Sequence, residues 1–391
     1  MTTFLPERRE RAPRSREAAS ILVDARALRV SGIGRYLREI LGALFTDPRF
    51  TRIKLLGVPQ DLEEFRGSVA HGEKAVICAY PYGFYSPYAQ AAWLGLCATG
   101  ATEADVAFFP HYDAPLLALP SRSVVTIQDL IHFKVPSAFP LWRRQAAGLL
   151  LHRAVRGAGR VLVSSESTRR DLVERFPGSD AKIEVVPFGV SRFFHAAARG
   201  GAARSVGHPY LLCVGNRKPH KNLAAAIEAL ALLRPDAPDL RLVVAGEWFP
   251  GWEAVLQRAD ALGVRDRVVE MSGVTDSALR DLYARCEALL FPSLYEGFGL
   301  PVLEAMACGA PVIASNRSSI PEVVGDAGVL VDPEDSRAMA EAVRRLRREP
   351  EFREDLVRRG RARAVKFTWE RAARSTVDVL HRVAVETGAK A

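Results

Sequence analysis

The sequence predicts an α/β fold with two doubly wound domains, each built on a parallel sheet. Short apolar runs alternate with amphipathic stretches along the chain, which is the pattern of strands alternating with helices. Many of the apolar runs are nearly continuous, as strands buried on both faces of a sheet require. The chain also has 391 residues, about twice the length of a common single domain. Together these observations predict two domains that face each other across a cleft, with ligands at the carboxyl ends of the strands.

The first half of the chain contains six predicted strands with helical patterns between them. Helices are expected at 36–45 and 166–176, where apolar residues recur with helical spacing. The strands are expected at 20–24, 53–58, 106–109, 124–127, 161–164 and 183–186. Residues 1–18 are charged and lack the apolar core of a signal peptide, so a disordered tail is expected there.

The second half restarts the same rhythm after a stretch without apolar periodicity. That stretch, 196–208, contains three glycines and is expected to link a first domain at 1–195 to a second domain at 209–368. The strands of the second domain are expected at 210–215, 241–246, 267–273, 287–293, 310–315 and 328–332. Three helical stretches follow from Ser336, and the last, 369–391, is expected to cross back to the first domain.

The composition is that of a folded protein, with 48% hydrophobic and 25% charged residues. The longest apolar stretch, around 89–98, is far shorter than the roughly 18 residues of a membrane-spanning helix. Five scattered cysteines without a CxxC pair predict buried thiols in a reducing cytoplasm. Because no Asp-x-Asp pair follows a strand where it could hold a divalent cation, we expect neither a metal nor a cofactor.

The net charge of +9 lies entirely in the first half of the chain. Residues 1–205 hold 28 Lys and Arg against 19 Asp and Glu, whereas residues 206–391 hold 26 of each kind. A nucleic-acid binder should not be neutral over half its length, so no nucleic-acid partner is expected. Two interpretations stay open. The basic half either contacts an anionic partner, such as a phosphorylated acceptor or lipids at the inner membrane face, or is an ordinary solvated surface.

The most informative segment is FPSLYEGFGLPVLEAMACGAPVIA, residues 291–314. A predicted strand ends there, and a loop leads into a helix expected to start with Pro301, where a missing N–H costs nothing. Gly299 and Leu300 would then offer free backbone N–H groups at a helix N-terminus. Such a helix start is suited to a phosphate group.

Two carboxylates flank this expected phosphate site. Glu304 lies eight residues after Glu296 and is expected on the first helical turn, so both carboxylates can face one small volume. One of them suits ribose hydroxyls and the other suits the hydroxyls of a sugar. A second interpretation is that both acids only complement the dipole of the helix.

These motifs resemble a known family. The run EGFGLPVLE, residues 296–304, resembles the E-x7-E signature of the retaining glycosyltransferases of family 4, which have the GT-B fold of two Rossmann-like domains. The resemblance covers most of residues 20–375. The other matching segments are 24–41, 124–136, 163–176, 210–223, 241–246, 268–286 and 308–333.

The resemblance implies transfer of a hexose from a nucleotide-sugar, with retention of configuration and without a metal. The segments GIGRY and HKN are similar to those of bacterial polysaccharide-assembly enzymes, which implies mannose from GDP-mannose ahead of UDP-glucose or a related hexose. Retention implies same-face attack through an oxocarbenium-like state, with the leaving phosphate helping to deprotonate the acceptor. The acceptor stays open between a glycan, a lipid-linked sugar and a small molecule.

The resemblance also implies roles for single residues. Lys221 matches the family's lysine on the donor diphosphate, and Glu296 is expected near the sugar as a hydroxyl ligand or cation stabiliser. Asn216 stands where the family commonly has an arginine, and the neighbouring Arg217 is a substitute whose fork could clamp phosphate oxygens. The implied donor-binding residues are Gly32, Gly34, Asn216, Gly273, Val274, Gly297, Phe298, Gly299, Leu300 and Glu304.

Two pairs of these donor-binding residues are expected in glycine-containing loops. Gly273 and Val274 match the loop that holds the nucleotide base in relatives, and nothing in their side chains distinguishes uracil from guanine. Gly32 and Gly34 follow the first strand, where glycine lets the backbone approach a phosphate or sugar closely, although a plain turn explains them as well. Arg35 beside them is either an anion ligand or a solvated helix residue.

Gln128 is the fourth catalytic candidate, beside Glu296, Lys221 and Arg217. It follows the predicted strand 124–127, where many relatives carry a histidine near the transferred sugar. Glutamine can hydrogen-bond a sugar hydroxyl or support the anomeric centre, but it cannot act as a general base. His111 and His132 lie near strand ends and are alternatives, and each also fits an ordinary solvent or core histidine. Lys218 and His220 are expected on the loop surface.

Three other functions compete with transfer. A nucleotide-sugar epimerase and a sugar phosphorylase can both use paired Rossmann-like domains, and a non-catalytic nucleotide-sugar-binding protein could keep the fold. Gln128 favours the last alternative, whereas Glu296, Glu304 and Lys221 argue against it. The phosphorylase would need a pyridoxal-phosphate lysine and usually a longer chain.

Overall fold

A computed structural model describes residues 18–195 and 207–386 of the chain. The expected tail at 1–18 lies outside the described residues except for its last position. The expected linker at 196–208 lies outside them except for its last two positions. Both expectations therefore stay predictions.

The described residues form thirteen strands and fifteen α-helices in alternation. The strands are β1 (Ala19–Asp24), β2 (Phe50–Gly57), β3 (Ala75–Ala79), β4 (Val106–Phe109), β5 (Ser123–Ile127), β6 (Arg160–Val163), β7 (Ile183–Val185), β8 (Tyr210–Val214), β9 (Arg241–Ala245), β10 (Val268–Met271), β11 (Ala288–Phe291), β12 (Val312–Ser315) and β13 (Val329–Val331). The helices are α1 (Ser31–Thr46), α2 (Pro59–Ser68), α3 (Pro87–Ala98), α4 (Ile131–Lys134), α5 (Leu141–Gly157), α6 (Glu166–Arg175), α7 (Arg192–His195), α8 (Leu223–Leu232), α9 (Trp252–Ala261), α10 (Asp276–Arg285), α11 (Leu300–Cys308), α12 (Ile320–Val324), α13 (Ser336–Arg348), α14 (Pro350–Ala364) and α15 (Trp369–Val385).

The strands form two sheets with the same topology. The first has the order β3-β2-β1-β4-β5-β6-β7 and the second has the order β10-β9-β8-β11-β12-β13. The ladders β1–β4 and β8–β11 are parallel, with Val23 opposite Phe108 and Leu212 opposite Leu289. When the strands of each sheet are numbered from its own first strand, the second sheet has the 3-2-1-4-5-6 order of the Rossmann fold. The first sheet has the same order and adds β7 at its edge. The predicted α/β class with two doubly wound sheets is confirmed.

The strand β3 is the one that the sequence did not reveal. Its five residues, AVICA, are half-buried at the edge of the first sheet, and only Ala75 is fully buried. A short edge strand has little apolar pattern, and its pairing with β2 depends on tertiary packing.

The chain divides into two compact units. One contains residues 1–125, 157–160 and 376–391, and the other contains residues 126–156 and 161–375. The second unit therefore holds the whole second sheet together with β7 and all of β6 except Arg160. The domain boundaries expected from the sequence stay a prediction.

The second sheet is covered by helices whose apolar faces match their sequence periodicity. In α8 the residues Leu223, Ile227 and Leu230 are buried at i, i+4 and i+7, the spacing of one helical face. In α13 Met339 and Val343 are buried in the same core. Each such aliphatic side chain stabilises the fold by about 1.5–3 kcal/mol on full burial.

The structure also bears on the cysteines and on membrane-spanning helices. All five cysteines are free thiols; Cys213, Cys286 and Cys308 are buried as expected. The expectation was wrong for Cys78 and Cys97, which are only half-buried. Among the residues that the structure describes, no helix has both the length and the apolar character to cross a membrane.

Candidate active site

The second sheet reverses its strand order between β8 and β11, and in doubly wound sheets ligands bind at such a switch point. The loop after β8 carries Lys221, and the loop after β11 carries Glu296. Lys221 Nζ lies 2.5 Å from Glu296 Oε1, and both side chains are largely buried. Gly215 makes room for this lysine: its φ is +129°, and a Cβ there would lie 3.2 Å from Lys221 Cε.

The charge of Glu296 is maintained by its neighbours. Burial raises the pKa of its carboxyl group, but the charge of Lys221 and the hydrogen bond from Lys221 outweigh burial and hold that pKa below its usual value. Glu296 is therefore ionised at neutral pH and neutralises Lys221. An anionic ligand that reached Lys221 would compete with Glu296 for the same ammonium group.

His220, on the loop of Lys221, does not lie on the protein surface as expected. His220 is buried, and burial, followed by the charge of Lys221, lowers its pKa to about 4. The prediction of a surface histidine was wrong, because the side chain is covered by tertiary packing. Lys218 is half-buried, with its Nζ 5.7 Å from the centre of the Phe249 ring. Burial lowers its pKa, with the charge of Arg143 as the next cause.

Gln128 and Asp129, which follow β5, lie against the loop of Glu296. A Cβ on Gly297 would lie 1.9 Å from the carbonyl oxygen of Gln128, so the two backbones are in direct contact. Burial raises the pKa of Asp129, and the charge of Glu296 raises it further, against the opposing charges of Lys218 and Lys221. Three of the four predicted catalytic residues are therefore neighbours: Glu296, Lys221 and Gln128.

The start of α6 fixes the Gly297 carbonyl. Ser164 Oγ donates to it at 3.0 Å, Ser165 Oγ at 2.8 Å and Thr168 Oγ1 at 3.3 Å. Tyr295, the residue before Glu296, donates a hydrogen bond from its hydroxyl to Asp171 Oδ2 at 2.8 Å. These contacts hold the loop after β11 in one position.

Two serines before α12 support the same loop from another direction. The backbone N–H of Glu296 donates to Ser318 Oγ at 3.0 Å. Ser319 is fully buried, and its hydroxyl lies 2.9 Å from the carbonyl oxygens of both Glu296 and Phe298. These positioning residues were not predicted, because nothing local in the run Ser318–Ser319 indicates which backbone groups they contact.

The helix after this loop starts one residue earlier than expected. Leu300 is the first residue of α11 and Pro301 is the second, with Gly299 at the cap. Gly299 has a φ of +112°, and a Cβ there would lie 2.7 Å from Ile320 Cδ1, so the cap requires glycine. The start of α11 thus lies four residues after Glu296 and presents the positive end of a helix dipole.

Glu304 does not lie where the sequence analysis placed it. It is the fifth residue of α11, beyond the first turn, and only 4% of its surface is exposed. Tyr283 donates a hydrogen bond from its hydroxyl to Glu304 Oε2 at 3.0 Å. The first-turn placement was wrong, and the role of Glu304 in donor binding stays a prediction.

Arg217 is paired with residues other than the remaining catalytic candidates. Its guanidinium pairs with Glu270 at 2.9 Å and lies 5.2 Å from the centre of the Trp252 ring, with only 4% of the side chain exposed. Glu270 also pairs with Arg265. The structure thus gives Arg217 a buried ion pair, and a phosphate contact would require exchange of that pair.

The remaining donor-side candidates are distributed over the second unit. Gly273 is exposed after β10, has a φ of +64° and donates its N–H to Glu247 Oε1 at 3.0 Å; Val274 is half-buried beside it. Asn216 is half-buried in the loop after β8. Phe298 contributes its ring to an aromatic cluster of the core, 5.3 Å from the Phe188 ring. Asn216 lies in the segment between β8 and Lys221, and Phe298 follows Glu296 by two residues, whereas Gly273 and Val274 lie in the loop after β10.

Gly32 and Gly34 belong to the first unit and lie in the first turn of α1. A Cβ on Gly34 would lie 2.6 Å from the carbonyl oxygen of Leu28 and 2.7 Å from that of Ala27, so the turn itself requires glycine. Gly32 is exposed, and a Cβ there would meet nothing within 4 Å. The turn interpretation therefore accounts for Gly34.

The first unit contains a polar cluster that the sequence analysis did not identify. Arg26 follows β1 and pairs with Asp24 at 2.6 Å and with Asp113, which follows β4, at 3.3 Å. Its guanidinium also lies over the rings of Tyr80 and Phe84. Because β1 and β4 flank the switch point of the first sheet, the signal was available in the two strand ends.

The two histidine alternatives have partners of their own. His111, in the first unit, stacks on Tyr112 and accepts a hydrogen bond from the Asp113 N–H at Nδ1. His132 is buried, and burial, followed by the charges of Arg143 and Lys218, lowers its pKa to about 4. Within residues 18–195 and 207–386, no three His, Cys, Asp or Glu side chains are grouped as metal ligands would be.

The architecture is shared with a solved structure. The structure of Anabaena Alr3699/HepE in complex with UDP and glucose matches with a TM-score of 0.73 and 18% sequence identity. The match covers 93% of this chain and 99% of that one. Two Rossmann-like parallel sheets of this kind place the chain in the GT-B class of glycosyltransferase folds.

The sequence comparisons narrow the class to a family. Residues 198–363 match the family model of glycosyl transferases group 1. The O-antigen chain mannosyltransferase B of Escherichia coli is 32% identical over 278 residues, which are 68% of this chain and 73% of that protein. The MMP alpha-(1->4)-mannosyltransferase of Mycolicibacterium hassiacum is 32% identical over 241 residues, 61% of this chain and 57% of that protein. The chain belongs to the glycosyl transferases group 1, and the prediction of a glycosyltransferase is confirmed.

Proposed function

We propose that the chain is a retaining family 4 mannosyltransferase that uses GDP-mannose and acts in the cytoplasm. The two sequence relatives named above are mannosyltransferases, which supports mannose as the transferred sugar. UDP-glucose is the second candidate donor, because the similar Anabaena structure contains UDP and glucose.

The observation that carries the proposal is the Lys221–Glu296 pair at the switch point of the second sheet. A donor diphosphate placed at Lys221 takes over its ammonium group from Glu296, and the N–H groups at the start of α11 complete the anion site. Preorganised donors of this kind stabilise the charge that develops on the leaving diphosphate. The nucleotide-sugar is thereby the substrate that this site suits.

Displacement by the diphosphate leaves the Glu296 carboxylate beside the sugar. There it binds a sugar hydroxyl or stabilises the oxocarbenium-like transition state. The acceptor hydroxyl attacks the anomeric carbon on the face that the diphosphate leaves, and its proton passes to the departing phosphate oxygen. Gln128 has no titratable group, so in this proposal it orients the sugar and moves no proton.

Catalysis without a metal is part of the proposal. Lys221 supplies a positive charge at the diphosphate, and the loop of Lys221 adds Lys218 as a second cation close enough to influence Asp129. These fixed charges perform the electrostatic role that a divalent ion performs in other transferases. Arg217 would join them only after leaving Glu270.

For the acceptor we propose a glycan or lipid-linked sugar bound by the first unit, with peripheral contact to an anionic membrane. The +9 net charge of residues 1–205, a range that includes parts of both units, supports the contact with an anionic membrane. The switch point of the first sheet adds Arg26, Asp24 and Asp113 beside aromatic rings, a combination of polar groups and flat apolar surfaces that suits a sugar.

A thermal-shift panel tests the donor. GDP-mannose, UDP-glucose, dTDP- and ADP-sugars are compared at equal concentration, because a ligand at 100 times its Kd stabilises the folded state by about 2.7 kcal/mol. We expect GDP-mannose to give the largest shift, and proton NMR of the product to show the anomeric configuration of the donor. A larger shift with UDP-glucose would replace the proposed donor, and an inverted product would contradict retention.

A further inference from the structure

The outer face of α5 differs from an ordinary solvated helix surface. Its exposed residues are Leu141, Trp142, Arg143, Gln145, Leu149, His152 and Arg156, here called the outer face. Leu141 is 64% exposed, Trp142 65% and Leu149 59%, so three large apolar side chains project into solvent from one helix. The opposite face, with Leu150 and Leu151, is buried in the second unit as usual.

The charge of α5 is of one sign. The helix contains four arginines and no acidic residue, and two of the arginines, Arg143 and Arg156, lie at opposite ends of the outer face. Leu141 and Trp142 lie next to Arg143, and Leu149 lies between Arg143 and Arg156. Exposed apolar side chains among cationic ones are complementary to a surface with negative headgroups above an apolar layer. Tryptophan at such a position is typical of the membrane–water interface.

We propose that the outer face of α5 docks the protein on an anionic lipid bilayer. This inference deepens the membrane contact of the proposed function and rests on it. The helix, about 25 Å long at 1.5 Å per residue, lies parallel to the membrane. Leu141, Trp142 and Leu149 enter the headgroup region, while the arginines contact phosphates.

The position of α5 gives this docking a consequence for catalysis. Arg143, at the first turn of α5, is near enough to Lys218 and His132 for its charge to lower the pKa of both. The amino-terminal end of the outer face is therefore next to the cationic loop that leads to Lys221. Docking through α5 would thereby hold the loop of Lys218 and Lys221 close to the bilayer in which a lipid-linked acceptor resides.

Co-sedimentation of the full chain with vesicles tests the inference. Vesicles of equal parts phosphatidylglycerol and phosphatidylcholine are compared with vesicles of phosphatidylcholine alone, at low salt and at 1 M salt, where the Debye length falls to about 3 Å. We expect binding only to the anionic vesicles and loss of most of it at high salt. Equal binding to both kinds of vesicle, or no binding at low salt, would overturn the proposal.

Substitutions on the outer face of α5 test whether this face is the membrane-binding surface. The triple variant Leu141→Gln, Trp142→Gln and Leu149→Gln keeps good helix formers and should bind anionic vesicles at least tenfold more weakly. Arg156→Gln should weaken binding about fivefold. The matched control is Tyr88→Gln, because Tyr88 is 75% exposed on α3, a helix without any charged residue, and we expect it to bind as the wild type does. An equal loss in the control would remove the assignment to α5.

Two further measurements separate the possible failures. Calorimetric titration with GDP-mannose in the absence of vesicles reports the donor site alone, and the α5 variants should keep wild-type affinity. Wild-type donor binding without vesicle binding contradicts the α5 proposal and leaves the transferase; vesicle binding without donor binding or transfer contradicts the proposed function. A dimer in size-exclusion chromatography that the triple variant abolishes would assign the outer face to a second copy of the chain and overturn membrane docking.

Discussion

Gly297 has no space for a side chain, because a Cβ there would lie 1.9 Å from the carbonyl oxygen of Gln128. The glycine therefore permits the segment after β5 to contact the loop that carries Glu296. The sequence predicts a role for Gly297 in donor binding. In addition, the lack of a side chain at Gly297 lets the segment after β5 and the loop of Glu296 make backbone contact within the second unit. Any change at this position reaches the loop of Glu296 through the backbone.

The substitution Gly297→Ala is expected to lower both stability and donor affinity. Insertion of a methyl group into packed structure costs about 1–3 kcal/mol, and here the neighbour is backbone that cannot rotate away. The control is Gly32→Ala, which meets nothing within 4 Å and replaces a helical glycine, so it should be neutral or stabilise by up to about 1 kcal/mol. Urea unfolding of both variants and GDP-mannose titration of Gly297→Ala measure these effects; a Gly297→Ala protein with wild-type values would show that the loop can move freely.

Removal of the charge of Lys221 is expected to lower turnover by about 10²–10³-fold, as loss of one transition-state donor does in other enzymes. Glu296→Gln should also lower turnover, but GDP should bind to it at least as tightly as to the wild type, because the carboxylate no longer competes for Lys221. Lys221→Met and Glu296→Gln are compared by steady-state kinetics and by calorimetry with GDP. Weaker GDP binding in Glu296→Gln would contradict the competition between Glu296 and the diphosphate.

Glu304→Ala is expected to destabilise the fold as well as weaken donor binding. The carboxylate is buried and accepts the hydroxyl of Tyr283, and loss of a buried hydrogen-bond partner costs about 1–3 kcal/mol. Tyr283→Phe removes the same hydrogen bond without touching the carboxylate, so it should lower stability while keeping donor affinity. If both variants lost donor affinity equally, Glu304 would act through Tyr283 and not by contact with the donor.

Stability is expected to fall as the pH is lowered from 6.5 towards 4. The buried His132 and His220 both have a pKa of about 4, below the ordinary 6.5, so in this window the unfolded chain binds protons that the folded chain does not. Each histidine then costs about 1.4 kcal/mol per pH unit. The pKa of Glu296 lies below its usual value, so its carboxyl group adds to the loss only at the lower end of this window, where the unfolded chain takes up the proton near an ordinary pKa of about 4.3.

Urea unfolding at pH 7 and at pH 5 measures this dependence. His220→Gln should reduce the difference between the two pH values by about 2 kcal/mol, since one buried histidine no longer titrates. His71→Gln is the control, because His71 is exposed and should leave the difference unchanged. An unchanged difference in His220→Gln would mean that this side chain can be protonated in the folded protein.

Turnover is expected to continue in excess EDTA at the rate measured with magnesium or manganese. Lys221 and the start of α11 supply the positive charge at the diphosphate in the proposed mechanism. The measurement is mannose transfer after dialysis against EDTA, with each metal added back separately. An absolute requirement restored by one of the metals would overturn metal-independent catalysis.

Most elements of the fold follow from local sequence patterns. The runs YLLCV in β8 and ALLF in β11 are apolar on both faces, and such runs bounded by glycines and polar residues have few alternatives to a buried parallel strand. The strand β3 cannot be recognised from such a local pattern. Its residues are half-buried at a sheet edge, and the pairing with β2 decides their conformation.

The sequence by itself determined the α/β class, the family resemblance and the loops that carry Lys221 and Glu296, because strand ends and glycine-rich turns are encoded by neighbouring residues. Only the tertiary structure decided the contacts of these loops. Lys221 and Glu296 are 75 residues apart, and they meet because β8 and β11 are adjacent in the sheet. The burial of His220, the position of Glu304 and the pairing of Arg217 with Glu270 likewise depend on residues distant in sequence. Burial and pairing are properties of packing between elements, and no local pattern contains them.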